Sequence, residues 1–336
     1  MARVKLGGTD LEVSPICLGT WQFNMGKTTV NWDGQSLETS KAIVDKCFEH
    51  GINFFDTAEG YPGSEEALGA CLEGRRRDAV IATKYGFREG PSTPPYSAED
   101  IQNSIDRALK KMKTDYIDII QIHFPAFIKD YDETVTELNR QISLGRLKYY
   151  AVSNFGPKNL KQFIAAGGRP IANQMGYNLL WRSAEYDVLP VCKENNMSVL
   201  AYSPLQQGLL TGKYATLDDV PEGRRRGKLF SRDSTQLSRH GQDGAEKEVF
   251  EALQRIRGVC DKAGVPMAKA ALSWLLQQEN VPVAIVGAST PQQIVENSNI
   301  VKLSDDVVKQ LADATEELKA KVGRTLDAWV HPDRCE

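Results

Sequence analysis

Short apolar runs alternate with amphipathic stretches eight times along the chain, and this alternation restricts the fold more than any other feature. The apolar runs read as strands at Ile16–Gly19, Asn53–Asp56, Ala79–Lys84, Tyr116–Ile122, Tyr149–Ser153, Asn173–Tyr177, Ser198–Tyr202 and Val283–Gly287. Between them, apolar residues recur at helical spacing, as at Ile43, Val44, Cys47 and Phe48 within Ser36–His50. Further helices are expected at Ser64–Leu72, Ser97–Lys111, Asp132–Leu144, Pro157–Ala165, Leu189–Asn195, Ala245–Ala263, Pro266–Gln277 and Pro291–Ile300. One last helix is expected from Ser304 to about Val322. Gly51 suits a helix stop, Ser97 with Asp100 an N-terminal cap, and Pro157 a first helical turn. Strand–helix–strand repetition implies parallel pairing through right-handed crossovers. Eight such units favour a closed (β/α)8 (TIM) barrel over an open doubly wound sheet, and no G-x-G-x-x-G follows the first strand. Val4–Leu6 and Leu11–Val13 flank Gly7-Gly8-Thr9-Asp10, which predicts a β-hairpin across the N-terminal mouth.

Length alone would allow two domains in 336 residues, but β/α barrels of this size are single units, so residues 1–336 are expected to form one barrel domain. Within it, 206–244 is a long polar segment, which the family resemblance given below implies to cover a cofactor, and 304–336 forms a C-terminal helix and tail. The hydrophobic fraction of 41% and charged fraction of 25% are those of an ordinary globular chain. A net charge of -3 gives no electrostatic case for nucleic acid or an anionic membrane as partner. No apolar run reaches the roughly 18 residues of a membrane span. The start of the chain lacks a signal-peptide layout, and its six cysteines are scattered without a C-x-x-C pair. The expectation is a cytoplasmic protein with buried free thiols and no metal site.

In a barrel of this kind, chemistry gathers at the C-terminal ends of the strands and in the loops after them. Asp56 ends the second strand, Lys84 ends the third, His123 follows the fourth, and Tyr61 lies in the loop after the second. These residue types can form a proton-transfer set. A phenol, with a reference pKa near 10, is a poor acid at neutral pH, and a neighbouring ammonium lowers that value. Lys84 could act so if Asp56 keeps it charged. His123 could orient a carbonyl or relay a proton, and Tyr61 would protonate an oxygen that gains charge as hydride arrives. Blander roles are also open. Asp56 could cap a turn, Lys84 could snorkel, Ser153-Asn154 could be a turn pair, and Arg224–Arg226 a solvated charge run.

Longer blocks carry a family likeness. Asn53–Leu68 (NFFDTAEGYPGSEEAL), in which Tyr61 follows Asp56 by five residues, resembles the signature of the aldo-keto reductase superfamily. Thr114–Pro125 (TDYIDIIQIHFP), Ala151–Gly156 (AVSNFG), Asn173–Asn178 (NQMGYN), Ala201–Tyr214 (AYSPLQQGLLTGKY) and Ile285–Asn297 (IVGASTPQQIVEN) resemble further blocks of that family, in family order. The branch most resembled includes bacterial aldo/keto reductases and potassium-channel β subunits. The resemblance implies a TIM barrel, a nicotinamide cofactor bound extended without a Rossmann motif, and a catalytic tetrad of Asp56, Tyr61, Lys84 and His123. It places Thr20 and Trp21 at the edge of the nicotinamide cavity, with Asp56 beside them. Ser153, Asn154 and Gln174 would hold the carboxamide, and Tyr202 would stack on the ring. Ser203, Pro204, Leu205, Gln207 and Gly208 would cradle the pyrophosphate with Lys213 adding charge. Gly287, Ser289, Gln293, Glu296 and Asn297 would hold the adenosine half. Many members of the superfamily carry Lys and Arg where this chain has Gly287 and Gln293, and those cations grip the 2′-phosphate of NADP. In the branch resembled here, an arginine from the long loop after the seventh strand can reach that phosphate, and Arg224, Arg225 and Arg226 lie there. A guanidinium fork suits a phosphate. NADP(H) is therefore expected over NAD(H), with Arg226 or Arg224 as the contact.

The function expected is hydride transfer between NADP(H) and an aldehyde or ketone, or the corresponding alcohol or sugar, with Tyr61 as general acid/base. Two other functions fit the same residues: a Schiff-base aldolase using Lys84 as nucleophile, and a cofactor-binding regulatory subunit with slow catalysis. The expected partner is a small carbonyl or alcohol; oligomeric state is not readable. Loops around Phe23–Trp32, Phe87–Tyr96 and Phe124–Asp130 and the C-terminal tail should build the pocket, with Trp32, Phe87, Tyr96, Phe124, Phe127 and Trp329 as aromatic walls.

Overall fold

A computed structural model describes residues 1–27, 33–331 and 334–336. Val4–Lys5 (β1) pairs antiparallel with Glu12–Val13 (β2). The chain then alternates strand and helix: Ile16–Gly19 (β3), Leu37–Glu49 (α1), Phe54–Asp56 (β4), Ser64–Cys71 (α2), Val80–Tyr85 (β5), Ala98–Met112 (α3), Ile117–Ile122 (β6), Tyr131–Ser143 (α4), Leu147–Ser153 (β7), Pro157–Ala165 (α5), Ala172–Gly176 (β8), Ala184–Glu194 (α6) and Ser198–Tyr202 (β9). After a long segment come Glu246–Ala263 (α7), Met267–Leu276 (α8), Val283–Val286 (β10), Pro291–Ser298 (α9), Asp305–Asp313 (α10) and Glu316–Val322 (α11). Strands β3 to β10 close into a barrel in chain order, β10 pairing with both β9 and β3, all parallel.

Every residue of β4, β5 and β6 is buried, which is why these strands read as near-continuous apolar runs and not as alternating ones. The helices bury one stripe each. In α3 it comprises Ile101, Ser104, Ile105, Ala108 and Met112, and the helix starts on a capping box between Ser97 and Asp100. Ser36, Asp130, Thr290 and Ser304 cap other helices through side-chain oxygens, each such cap stabilising by about 1 kcal/mol.

The hairpin plugs the N-terminal end. Leu6 and Val13 pack on Cys17, Phe54, Leu200 and Val283 at that end of the barrel. The Gly7 N–H donates to Ser198 Oγ at 3.0 Å, and a Cβ on Gly7, whose φ is 52°, would strike the Ile171 carbonyl. The open end is therefore the C-terminal one.

Two helices differ from the sequence expectation. Helix α6 begins at Ala184, five residues before the expected Leu189, because Pro190 lies inside the helix instead of marking its edge. Its first turn is pinned by Glu185, which accepts from Arg182 Nε at 2.7 Å and from the Tyr177 hydroxyl at 2.8 Å. The single helix expected from Ser304 to Val322 is two, broken at Ala314-Thr315. Guanidinium groups from elsewhere take the carbonyls at the break. Arg182 Nη1 donates to Ala312 O at 2.8 Å and Arg255 Nε to Ala314 O at 3.0 Å, so these two carbonyls do not depend on a continuous helix.

Residues 206–244 hold four short 3-10 turns, at Gln206–Thr211, Leu217–Asp219, Glu222–Arg224 and Arg232–Ser234. All six cysteines are free and buried. Among the described residues no helix is long and apolar enough to cross a membrane.

Candidate active site

The strand ends bring Asp56, Lys84, His123 and the Tyr61 loop to one place. Asp56 is the last residue of β4, Lys84 the penultimate residue of β5, and His123 the first residue after β6. Lys84 Nζ donates to Asp56 Oδ1 at 2.6 Å and to the Thr57 carbonyl at 3.0 Å. Asp56 Oδ2 accepts from Gln121 Nε2 at 3.0 Å and from Gln174 Nε2 at 2.7 Å, so both carboxylate oxygens are satisfied. Lys84 Nζ lies 5.1 Å from the centre of the Tyr61 ring. Trp21 stacks on Tyr61 at 5.6 Å, and His123 meets the ring edge-on at 5.8 Å. The four residues thus share one cluster, with Lys84 beneath the tyrosine and His123 beside it.

Burial sets the protonation states. It pushes the Tyr61 phenol above its ordinary pKa, while the Lys84 ammonium pulls the other way without prevailing. The lowering expected from Lys84 is present in sign but outweighed, so Tyr61 stands as a protonated acid at neutral pH. Burial also works against the Lys84 charge, but Asp56 more than restores it and the ammonium is held above its ordinary pKa. His123 is driven well below its usual value, first by burial and then by the Lys84 and Arg334 charges, which makes it a neutral imidazole. Its Nδ1 is buried and has no hydrogen-bond partner among the described residues, the condition a bound ligand would complete.

Above this cluster opens a cleft of about 1250 Å³. That exceeds the roughly 300–1,000 Å³ of a pocket for one drug-sized ligand, so a cofactor and a substrate have room together. Tyr61, His123 and every residue expected to touch the cofactor, from Thr20 and Trp21 to Gln293, Glu296 and Asn297, line it; Lys84 lies below its wall. Phe87, Asn154, Ser203 and Gln207 follow strand ends with φ of 61°, 62°, 53° and 53°. Left-handed backbone at non-glycine residues costs about 1–3 kcal/mol each, and such strain gathers at functional sites.

The donors at the strand ends are held by one another. Asn154 Nδ2 donates to the His123 carbonyl at 3.0 Å, the Tyr202 hydroxyl donates to Asn154 Oδ1 at 2.9 Å, and Ser153 Oγ donates to the Gln174 carbonyl at 3.0 Å. This network outdoes a simple turn pair at Ser153-Asn154. Two glycines leave little room for a side chain along the cleft. Gly208, with φ of 96°, is bare where a Cβ would come within 3.1 Å of Lys213 Cε and 3.3 Å of Arg224 Nη1. At Gly287 a Cβ would stand 2.9 Å from Gln22 Oε1.

The three loop arginines separate. Arg224 Nη1 donates to the Gln207 carbonyl at 3.0 Å and stands with Lys213 over Gly208. Arg225 turns away, giving its Nε to the Val220 carbonyl at 2.6 Å. Arg226 also lines the cleft, beside two indoles, 5.3 Å from the Trp21 ring centre and 5.2 Å from that of Trp329. That position is at the tyrosine end of the cleft, so of the two arginines expected to reach a 2′-phosphate, Arg224 is the one beside Lys213 and Gly208.

Of the expected aromatic walls, Phe87, Phe124 and Trp329 line the cleft. Tyr96 and Phe127 are buried behind Phe87, with the Phe127 ring 4.7 Å from it, and Trp32 lies outside the described residues. The sequence reading missed Gln121, which locks Asp56; its one signal is a polar residue in an otherwise apolar strand end. It also missed Arg239 and Arg334, which line the cleft from the long segment and the tail, and which carry no local motif.

The family model for the aldo/keto reductase family matches residues 15–316. Over 341 residues the chain is 31% identical to an NADH-specific methylglyoxal reductase of Escherichia coli, covering 94% of this chain and 100% of that protein. It is 30% identical over 327 residues to a putative voltage-gated potassium channel subunit beta of Schizosaccharomyces pombe, covering 93% and 92% of the two chains. An L-glyceraldehyde 3-phosphate reductase of Escherichia coli O157:H7 is 30% identical over 308 residues, covering 87% and 85%. With its closed parallel barrel and this match over most of its length, the chain belongs to the aldo/keto reductase family, oxidoreductases that use a nicotinamide cofactor on carbonyls and alcohols.

Proposed function

We propose that the protein is an NADP(H)-dependent carbonyl reductase in which Tyr61 donates the proton. The observation that carries this reading is a protonated tyrosine stacked against Trp21, over a buried ammonium–carboxylate pair and beside a neutral histidine, at the floor of a cleft large enough for cofactor and substrate.

A bound reduced nicotinamide supplies the hydride. The chain's own groups position and protonate. Ser153, Asn154 and Gln174 hold the carboxamide; the Gln174 amide nitrogen is engaged by Asp56, which leaves its oxygen to accept from a carboxamide N–H. Tyr202, fixed through its hydroxyl to Asn154, backs the ring. His123, neutral, hydrogen-bonds the substrate oxygen and orients it. Tyr61 Oη gives its proton to that oxygen as negative charge develops, and the phenolate left behind is stabilised by Lys84, which Asp56 keeps charged. In the alcohol-oxidising direction the same phenolate takes the proton back. Proton transfer by a positioned group contributes about 10²–10⁴-fold. A Schiff-base role for Lys84 needs a neutral, accessible amine, whereas this amine is buried, ion-paired and below the cleft wall.

Arg224, standing beside Lys213 and Gly208 of the pyrophosphate cradle, favours NADPH through its 2′-phosphate. The 206–244 segment is the cofactor cover that brings Arg224 there. A relative described as NADH-specific marks the competing preference. The test is cofactor consumption across a panel of aldehydes and ketones, and reduction with the matching alcohols and sugars, with each cofactor. Turnover with kcat/KM at least tenfold higher for NADPH is expected. Equal or better use of NADH would overturn the cofactor assignment. Tight cofactor binding without turnover on any carbonyl would replace the enzyme reading by a regulatory one.

A further inference from the structure

Tyr61 belongs to no strand. It lies on the loop 57–62 between β4 and α2, and that loop must hold it over Lys84. The loop does so by running on beside β5. The Thr57 N–H donates to the Ala82 carbonyl and the Glu59 N–H to the Lys84 carbonyl, both at 2.8 Å. A parallel ladder continued one step further would offer the Glu59 carbonyl to the Gly86 N–H. The Glu59 side chain takes that donor instead, its Oε2 accepting from the Gly86 N–H at 3.2 Å. The main chain can then turn, and the Tyr61 N–H donates to the Ala58 carbonyl at 3.0 Å.

Glu59 is itself braced from the outer layer. The Tyr96 hydroxyl donates to the same Oε2 at 2.8 Å, and Arg107 of α3 gives Nε and Nη2 to Oε1 at 3.2 and 2.6 Å. One helical turn further on, Lys111 lies 3.4 Å from Glu65 Oε2, and Thr83 Oγ1 donates to Glu65 Oε1 at 2.7 Å. Helix α3 thus holds both the tyrosine loop and the start of α2. The Glu59 side chain is only 5% exposed and is not among the described residues that line the cleft, so it acts through its neighbours. The loop also fits β5 closely: a Cβ on Gly60 would stand 2.9 Å from Phe87 Cβ and 3.2 Å from the Gly86 carbonyl oxygen.

We propose that Glu59 is a positioning residue for proton transfer, its carboxylate standing in for the main-chain acceptor at Gly86 and so setting the place of Tyr61 over Lys84. This inference rests on the reductase reading. A misplacement of about 1 Å can cost roughly 10²-fold in rate, and the hold of Lys84 on a developing phenolate weakens with distance.

The test is single-turnover NADPH oxidation by the full chain, with the aldehyde that the wild type reduces fastest. Glu59→Ala should slow hydride transfer by roughly 10²-fold while the NADPH Kd and the aldehyde KM stay within about threefold of wild type. Glu59→Gln should recover most of that loss. Its amide oxygen can accept from the Gly86 N–H and the Tyr96 hydroxyl, and the partly exposed Arg107 can turn to water. Gly60→Ala removes no donor or acceptor but presses the loop away from β5; it should show the same split between rate and binding, and it decides the matter if Glu59→Ala does not fold. Unimpaired hydride transfer in Glu59→Ala, an equal loss in Glu59→Gln, or a rate loss matched by an equal loss of NADPH affinity overturns the proposal. If the wild type reduces no carbonyl, the reductase reading fails separately, and amide hydrogen exchange over residues 57–64 decides the placement of the loop. Exchange at least about tenfold faster in Glu59→Ala or Gly60→Ala than in the wild type and Glu59→Gln supports it, and equal exchange in all four overturns it.

Discussion

The two halves of the cleft are held by different means. At the strand ends, each group is fixed by a barrel strand and by a closed set of hydrogen bonds: Lys84, Gln121 and Gln174 all converge on Asp56. Opposite them, the 206–244 segment and the tail are a chain of short turns docked on each other. Lys228 N–H donates to the Ala328 carbonyl at 2.8 Å, Arg225 caps Val220, and the tail ends with the Glu336 carbonyl accepting from Asn159 N–H at 2.8 Å. The barrel half has no slack, because any change strands a buried charge. On the proposed function, proton chemistry belongs to the first half and the choice of cofactor and substrate to the second.

The largest effect should follow from breaking the buried pair. Lys84→Met leaves Asp56 charged and unpaired in the interior, and removing one partner of such a pair costs about 3–5 kcal/mol. Thermal unfolding should show a large drop in Tm, partly recovered in the Asp56→Asn/Lys84→Met double variant. A Tm equal to wild type for Lys84→Met would show that the barrel half is not built on this pair.

Loosening the docked half should do less. A side chain on Gly156 would overlap the Glu336 backbone. Gly156→Leu should free the tail and destabilise by about 1–3 kcal/mol, as overpacking does. Carboxypeptidase should then remove C-terminal residues that are protected in the wild type, while the barrel remains folded by circular dichroism.

His123 joins the two halves, and pH reads it. Its folded pKa lies well below the unfolded value near 6.5, so the unfolded chain binds the proton more readily. The stability it contributes is fully present above that unfolded value. It is lost as pH falls from about 6.5 toward the folded value, at up to about 1.4 kcal/mol per pH unit. Urea denaturation from pH 7 to pH 5 should show a shallower slope in His123→Asn. An unchanged slope would mean that His123 is not held neutral.

The smallest effect concerns Arg224. Arg224→Ala should weaken NADPH by roughly tenfold, the scale of one charge-assisted contact, and NADH by less than twofold, as read by fluorescence titration. Equal weakening of both would assign Arg224 to the pyrophosphate or to the loop itself.

The same division explains what was legible in the sequence. Asp56, Lys84 and His123 could be placed together because a strand end fixes where its last residue points, whatever lies elsewhere in the chain. The capping pair Ser97–Asp100 was legible because its geometry is local. The start of α6 was not, since Pro190 mimics a boundary and the helix is pinned instead by Arg182 and Tyr177 across space. Nor was the break before α11, where Arg182 and Arg255 reach in from other elements. Among Arg224, Arg225 and Arg226, three adjacent identical side chains take three environments, and only the docking of the loop decides which meets Lys213 and which meets the indoles. Gln121 was hidden by the apolar residues around it, although a lone amide in a buried strand needs a polar partner.

The central claim is that Tyr61 is the proton donor of a carbonyl reductase, and single-turnover NADPH oxidation by Tyr61→Phe tests it most directly. The account predicts hydride transfer slowed by about 10²–10⁴-fold with the NADPH Kd within twofold of wild type. Hydride transfer within a few-fold of wild type would contradict it.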